Sequence, residues 1–137
     1  MVTGGGSGIG QAIASRFAAH GAIVRVLDVN ESAAAATCQR IAADGGIASS
    51  HLCDVTKQAD VRATFKELFT LGRVHILVNN AGISHIGTVE STTEADFDRV
   101  LRVNVKGFYN FIRSLEIMTG ISGMLGFRPC FTASLSI

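Results

Sequence analysis

A glycine-rich run near the start of the chain, Thr3-Gly4-Gly5-Gly6-Ser7-Gly8-Ile9-Gly10, limits the fold more than any other feature. Before it stands a short apolar segment, Met1 to Thr3, that reads as the tail of a strand. After it, Ile9, Ile13 and Phe17 recur at helical spacing until Gly21 ends the pattern. A strand that turns through glycines into a helix gathers main-chain amides at the positive end of the helix dipole, where a diphosphate can sit. No Gly-Lys-Ser/Thr follows, which argues against a P-loop. Alone, such a run is weak evidence, because a tight turn and nothing more also accounts for it.

The rest alternates. Ile23-Val24-Arg25-Val26-Leu27 is short, apolar and β-rich, like a strand buried on both faces. Asn30 can cap a helix through the alanine-rich stretch to Ala43, and Gly45-Gly46 stops it. A weaker strand, Ile47 to Cys53, precedes a helix marked by Val61, Phe65, Leu68 and Phe69 and closed by Gly72. Val74-His75-Ile76-Leu77-Val78 is the best strand pattern in the chain. Thr93-Glu94-Ala95-Asp96 then resembles a capping box before a long helix whose buried stripe reads Phe97, Leu101, Asn104, Phe108, Phe111 and Leu115. Beyond Leu115, Gly120, Gly123, Gly126 and Pro129 leave no clean period.

This pattern predicts an α/β fold: the N-terminal half of a Rossmann-type, doubly wound parallel sheet, about four strands with helices on both faces. Residues 1–115 form the expected dinucleotide-binding domain, and residues 116–137 a divergent tail with no assigned structure. With 137 residues, a second domain has little room. The charged fraction is 17%, below the roughly 25% of average soluble domains, and 47% of residues are hydrophobic, enough to bury a core.

Composition also removes function classes. The net charge is +1 and the basic residues are scattered, so no nucleic-acid footprint is expected. No apolar run approaches the ~20 residues of a membrane span, and no charged-then-apolar leader opens the chain. Cys38, Cys53 and Cys130 form no C-x-x-C pair; they read as reduced thiols of a cytoplasmic protein rather than as metal ligands.

Ligands of doubly wound sheets bind beyond the carboxyl ends of the strands. Those ends carry Gly4 to Gly10, Asp28, Asp54 and Asn79 to Gly82, so the candidate site residues fall there as a group. Asp28 can accept from both hydroxyls of an adenosine ribose and would repel a 2′-phosphate, and neither Val29 nor Asn30 offers a positive charge. NAD is therefore expected over NADP. Asp54 can accept from an adenine amino group while Val55 lines the ring, although Asp-x-Thr is also an ordinary helix cap. The amides of Asn79 and Asn80 need partners at the end of a buried strand and can stitch neighbouring turns together. Asn104 stands out as a polar residue within an apolar stripe.

Taken together, the T-G-x-x-x-G-x-G turn at Thr3 to Gly10, Asp28, Asp54-Val55, Asn79-Asn80-Ala81-Gly82 and Val103-Asn104-Val105-Lys106-Gly107 resemble the short-chain dehydrogenase/reductase family over roughly residues 1–113. The resemblance implies NAD(H) or NADP(H) and hydride transfer between a small-molecule alcohol and a carbonyl. It implies that Gly4, Gly8, Ile9 and Gly10 hold the pyrophosphate, with Ser7 also binding the cofactor, Asp28 the ribose, and Asp54 and Val55 the adenine. Asn80, Ala81 and Gly82 would line the nicotinamide-side ribose, and Asn104 would hold a water of the proton relay.

The family chemistry also requires a serine and a Tyr-x-x-x-Lys pair. Here the sole tyrosine, Tyr109, is followed four residues later by Arg113, and Phe131-Thr132-Ala133-Ser134-Leu135 resembles that motif with phenylalanine and leucine in place of the two active groups. Neither Ser122 nor Ser134 has convincing spacing for the serine. The chain therefore reads as an incomplete copy, truncated or altered at both ends, whose last strand would leave a hydrophobic edge exposed. Family enzymes often assemble through helices late in the domain. The segment for one such helix is absent, which argues against a homo-oligomer here. The alternative function is a non-catalytic dinucleotide-binding or interaction module. A methyltransferase fits less well, because it gives the asparagine pair and Asn104 no role.

Overall fold

The computed structural model of the chain describes residues 1–119 and 131–134. In chain order the elements are β1 (Val2–Thr3), α1 (Gly8–Ala19), β2 (Ile23–Asp28), α2 (Glu31–Ala43), β3 (Ile47–Leu52), α3 (Gln58–Thr70) and β4 (Ile76–Asn79). Then come α4 (Glu94–Leu101), a π-helical turn (Arg102–Gly107), α5 (Phe108–Thr119) and β5 (Phe131–Ser134). The strands form one parallel sheet in the order β3-β2-β1-β4-β5. Strand order reverses at β1, the place where open α/β sheets leave a crevice for ligands.

Alternation along the strands distributes the core between two faces. Val26 and Val78 point to one side, where Ala14 and Ala18 of α1 and Ala34 and Ile41 of α2 cover them. Their neighbours Leu27 and Leu77 point to the other, against Val61, Phe65 and Leu68 of α3 and Phe111 and Leu115 of α5. The rings of Phe65 and Phe111 lie 5.5 Å apart. Helices therefore cover both faces, as a Rossmann-type sheet requires.

Several local expectations hold. Asn30 caps α2 by accepting from the Ala33 amide, and Thr93 caps α4 by accepting from the Asp96 amide. Gly45 and Gly72, just past their helices, have φ of 78° and 135°.

Four differ. The buried line of α1 is Gly10, Ala14 and Ala18, one position on from the expected Ile9, Ile13 and Phe17; Ile9 is exposed, and Ile13 and Phe17 pack only at the edge. Small residues win because they let the helix approach the sheet closely. The strand expected at Val74 begins at Ile76.

The long amphipathic helix is interrupted by the π-helical turn, which shifts the phase of everything after it. Phe97, Leu101, Asn104 and Phe108 are exposed, whereas Gly107, Asn110, Phe111, Ser114 and Leu115 are buried. Finally, β5 pairs with β4 from Ile76↔Phe131 to Asn79↔Ser134. The edge expected to be bare is covered, and the sheet has one strand more than the sequence suggested.

Candidate functional site

Asn80 ties the turn after β4 to the turn after β1. Its side-chain amide donates to the carbonyls of Thr3 (3.0 Å) and Gly4 (3.2 Å). In return the Thr3 hydroxyl accepts from the main-chain amides of Asn80 and Ala81, both at 3.0 Å. Little freedom is left for a side chain between them. A Cβ on Gly10 would fall on the Gly4 carbonyl and 2.5 Å from Asn80 Nδ2, and Gly4 itself has φ of 63°. Of the two expected stitching amides, Asn80 is the stitch; Asn79 is buried with its Nδ2 unpartnered.

The helix that follows starts uncapped. Ser7 occupies the N-cap position, yet its side chain makes no capping hydrogen bond, and no acidic residue lies in the first turn. Orphan amides and partial positive charge therefore face outward at Ser7 to Gly10, where the side chains are absent or exposed. Opposite them, Asp28 accepts from the Gly6 amide through Oδ2 and from the Asn30 amide through Oδ1, each at 2.9 Å. Each carboxylate oxygen keeps a further lone pair for a ligand. A Cβ on Gly6 would come within 2.8 Å of that carboxylate.

These groups border one cleft of about 650 Å³ at the carboxyl ends of the strands. Gly4, Ser7, Gly8, Ile9, Gly10, Asp28, Asp54, Val55, Asn80, Ala81 and Gly82 all line it. The volume lies within the range of pockets that hold cofactors. A second cleft, of about 420 Å³, opens at the opposite end of the sheet among Val24, Leu68, Leu71 and Ile76 and gathers none of these residues.

Asp54 is less free than Asp28. Burial acts against its charge, but bonds from the Thr56 hydroxyl (2.7 Å) and amide (2.9 Å), with Lys57 3.4 Å away, outweigh it and lower its pKa. Its carboxylate is thus already engaged by the turn that opens α3. Cys53, also on the cleft, is buried, and that burial pushes its thiol pKa up. Cys38 and Cys53 are both free thiols.

Asn104 does not line the cleft but grips a residue that does. Its Nδ2 donates to the Ile83 carbonyl and its Oδ1 accepts from the Ile83 amide, both at 2.9 Å. Behind it, Gly107 packs against Val55 and Asn110 Nδ2 donates to the Val55 carbonyl at 2.9 Å. The π-helical turn is thereby held against the turns after β3 and β4. Its own Arg102 and Val103, with Arg99 one turn earlier, complete the wall. Sequence reasoning missed these three: Arg102 and Val103 lie in the π-helical turn, which no periodicity announces, and Arg99 reads as an ordinary exposed helix residue. Tyr109 lies on α5 outside the cleft, with its hydroxyl accepting from Arg113 at 3.1 Å. Phe131–Ser134, the described part of the segment that resembles the family's Tyr-Thr-Ala-Ser-Lys, is a strand paired with β4.

Among the described residues, no group of three or more His, Cys, Asp and Glu side chains is placed to hold a metal, and no helix is long and apolar enough to cross a membrane.

Residues 1–125 match the model of the short chain dehydrogenase family. An uncharacterized oxidoreductase of Thermotoga maritima is 45% identical over 107 residues, which make up 78% of this chain and 42% of that protein. A 3-ketoacyl-(acyl-carrier-protein) reductase of Brucella melitensis, solved in complex with NADH, superposes with a TM-score of 0.76 at 41% identity, over 82% of this chain and 46% of the other. A metagenomic short-chain oxidoreductase in complex with NADP gives a TM-score of 0.86 at 28% identity, over 97% and 59%. The chain spans about half the length of the curated relatives it matches.

Proposed function

This chain belongs to the short-chain dehydrogenase family, and from that premise we propose that its cleft holds a nicotinamide dinucleotide, NAD in preference to NADP. The activity of the line is hydride transfer between a small-molecule alcohol and a carbonyl. The observation that carries this reading is the uncapped start of α1 facing the Asp28 carboxylate across a turn in which Gly4, Gly6 and Gly10 leave no room for a Cβ. The dinucleotide would supply the hydride chemistry.

The chain's own groups divide the rest. Main-chain amides from Ser7 to Gly10 bind the diphosphate, with Gly4 keeping the turn closed. Asp28 accepts from the adenosine ribose, and its charge opposes a 2′-phosphate. Asp54 and Val55 border the adenine, while Asn80, Ala81 and Gly82 border the second ribose. Asn104 is a positioning residue: it fixes Ile83 at the mouth of the cleft and keeps one amide hydrogen and one lone pair for water.

Proton transfer is a separate matter. A phenol titrating near neutral pH needs a cation beside it. Tyr109, the chain's sole tyrosine, stands outside the cleft. We therefore propose that these 137 residues bind the cofactor without turning over by themselves. The same observation supports a second reading, a non-catalytic nucleotide-binding module, which alcohol- or ketone-dependent hydride transfer by this chain would eliminate.

Titration with NADH tests the binding claim: cofactor fluorescence should change on addition of the protein, and no change at millimolar concentration would overturn it. Asp28→Ala should weaken NADH more than NADPH. Equal losses would refute the ribose assignment.

A further inference from the structure

One cation on the cleft has no side-chain partner within the described residues. Four charged residues line it: Asp28, Asp54, Arg99 and Arg102. Asp54 is paired with Lys57 at 3.4 Å, and Arg99 with Asp96 at 3.7 Å. The oxygens of Asp28 accept two main-chain amides. Arg102 alone among these four has a side chain with no hydrogen bond or ion pair within the described residues; its main-chain amide donates to the carbonyls of Asp98 and Arg99. The glycine turn itself carries no basic side chain between Thr3 and Gly10.

Position distinguishes Arg102 further. Helix α1 covers one face of the sheet and α5 the other. Arg102, on the π-helical turn continuous with α5, therefore borders the cleft from the face opposite α1. Its backbone is anchored by the Asn104 clamp on Ile83 and by Gly107 against Val55. An anion seated at the α1 N-terminus, over the carboxyl rim of the sheet, would have helix amides on one side and this guanidinium on the other.

We infer that Arg102 is the cationic contact for the diphosphate of the bound nucleotide, the counterpart across the rim of the amides from Ser7 to Gly10. The inference rests on the nucleotide reading above and adds to it a specific side chain and a specific ligand group. A guanidinium suits this task because its planar donors can engage two phosphate oxygens together. Arg102 is exposed, so its contribution is modest and screened by salt. The 2′-phosphate of NADP is the other anion that could reach it. The Asp28 carboxylate opposes a 2′-phosphate at the ribose, which leaves the diphosphate as the anion expected beside Arg102.

Calorimetry on the full chain separates these cases, with NADH, ADP, 2′-AMP and adenosine as probes. Wild-type binding of NADH comes first, and its absence would overturn the nucleotide reading together with this inference. Given that binding, Arg102→Gln should weaken ADP about fivefold at low salt, shrinking to less than about twofold at high salt, and leave adenosine unchanged. Arg102→Lys should recover part of the loss. Unchanged ADP affinity in Arg102→Gln, an equal loss for adenosine, or a loss confined to 2′-AMP would each overturn the assignment while leaving the nucleotide reading intact. Because the Arg102 side chain bonds to nothing in the described residues, the variant's melting temperature should match wild type, so a loss of affinity reports binding rather than folding.

Discussion

Two regions border the cleft and are held in place in different ways. In the turn from Thr3 to Gly10, position is fixed by backbone. Asn80 bonds two of its carbonyls, Asp28 one of its amides, and a Cβ at Gly10 has nowhere to go. In the segment from Glu94 to Thr119, position is fixed by a few side chains at its middle, Asn104 on Ile83 and Asn110 on Val55, while Phe97, Leu101, Val105 and Tyr109 face outward. The first region tolerates almost no change but needs only local sequence. The second tolerates substitution over much of its surface, and its geometry depends on a helical phase set by contacts with other elements.

That contrast can be broken by mutation. The largest effect should come from Phe111→Ala, which empties a fully buried site beside Phe65; about 4 kcal/mol of stability should be lost in urea denaturation. A cost below about 1 kcal/mol would place the phase of α5 wrongly. Next, Gly10→Ala should cost about 3 kcal/mol, since its methyl meets backbone that cannot move aside, and NADH binding should vanish with it. Retained binding would mean the turn has more freedom than its contacts imply.

Smaller effects sharpen the second region. Asn104→Ala removes two hydrogen bonds at an exposed position, so about 1 kcal/mol is expected, together with faster exchange of the Ile83 amide. Exchange unaltered at Ile83 would show that the clamp does not hold the loop. Phe97→Ala should be nearly silent, within about 0.5 kcal/mol, because its ring is already 58% exposed. A large loss there would restore the uninterrupted helical stripe that the sequence suggests.

The same contrast explains what could be read from the sequence. Caps, helix stops and the glycine turn follow local rules, so Asn30, Thr93, Gly45 and Gly72 stand where those rules put them. The cleft lining was legible for a related reason: strand ends in a parallel sheet converge, and Gly4, Asp28, Asp54 and Asn80 each sit at one. What escaped depends on distant partners. Helix α1 buries Ala14 and Ala18 instead of Ile13 and Phe17 because closeness to the sheet outweighs hydrophobicity there. The π-helical turn adds a residue to the repeat, so Phe97 and Leu101 are outside, although Phe111 and Leu115 of the same expected stripe are inside. Strand β5 carries no period of its own and is defined by its register with β4, from Phe131 opposite Ile76 onward.

An experimental structure of the chain grown with NADH tests the central claim most directly. The account predicts the diphosphate within hydrogen-bonding distance of the main-chain amides between Ser7 and Gly10, with the adenosine ribose hydroxyls on Asp28. A dinucleotide bound elsewhere, for instance in the cleft at the amino ends of the strands, would contradict it.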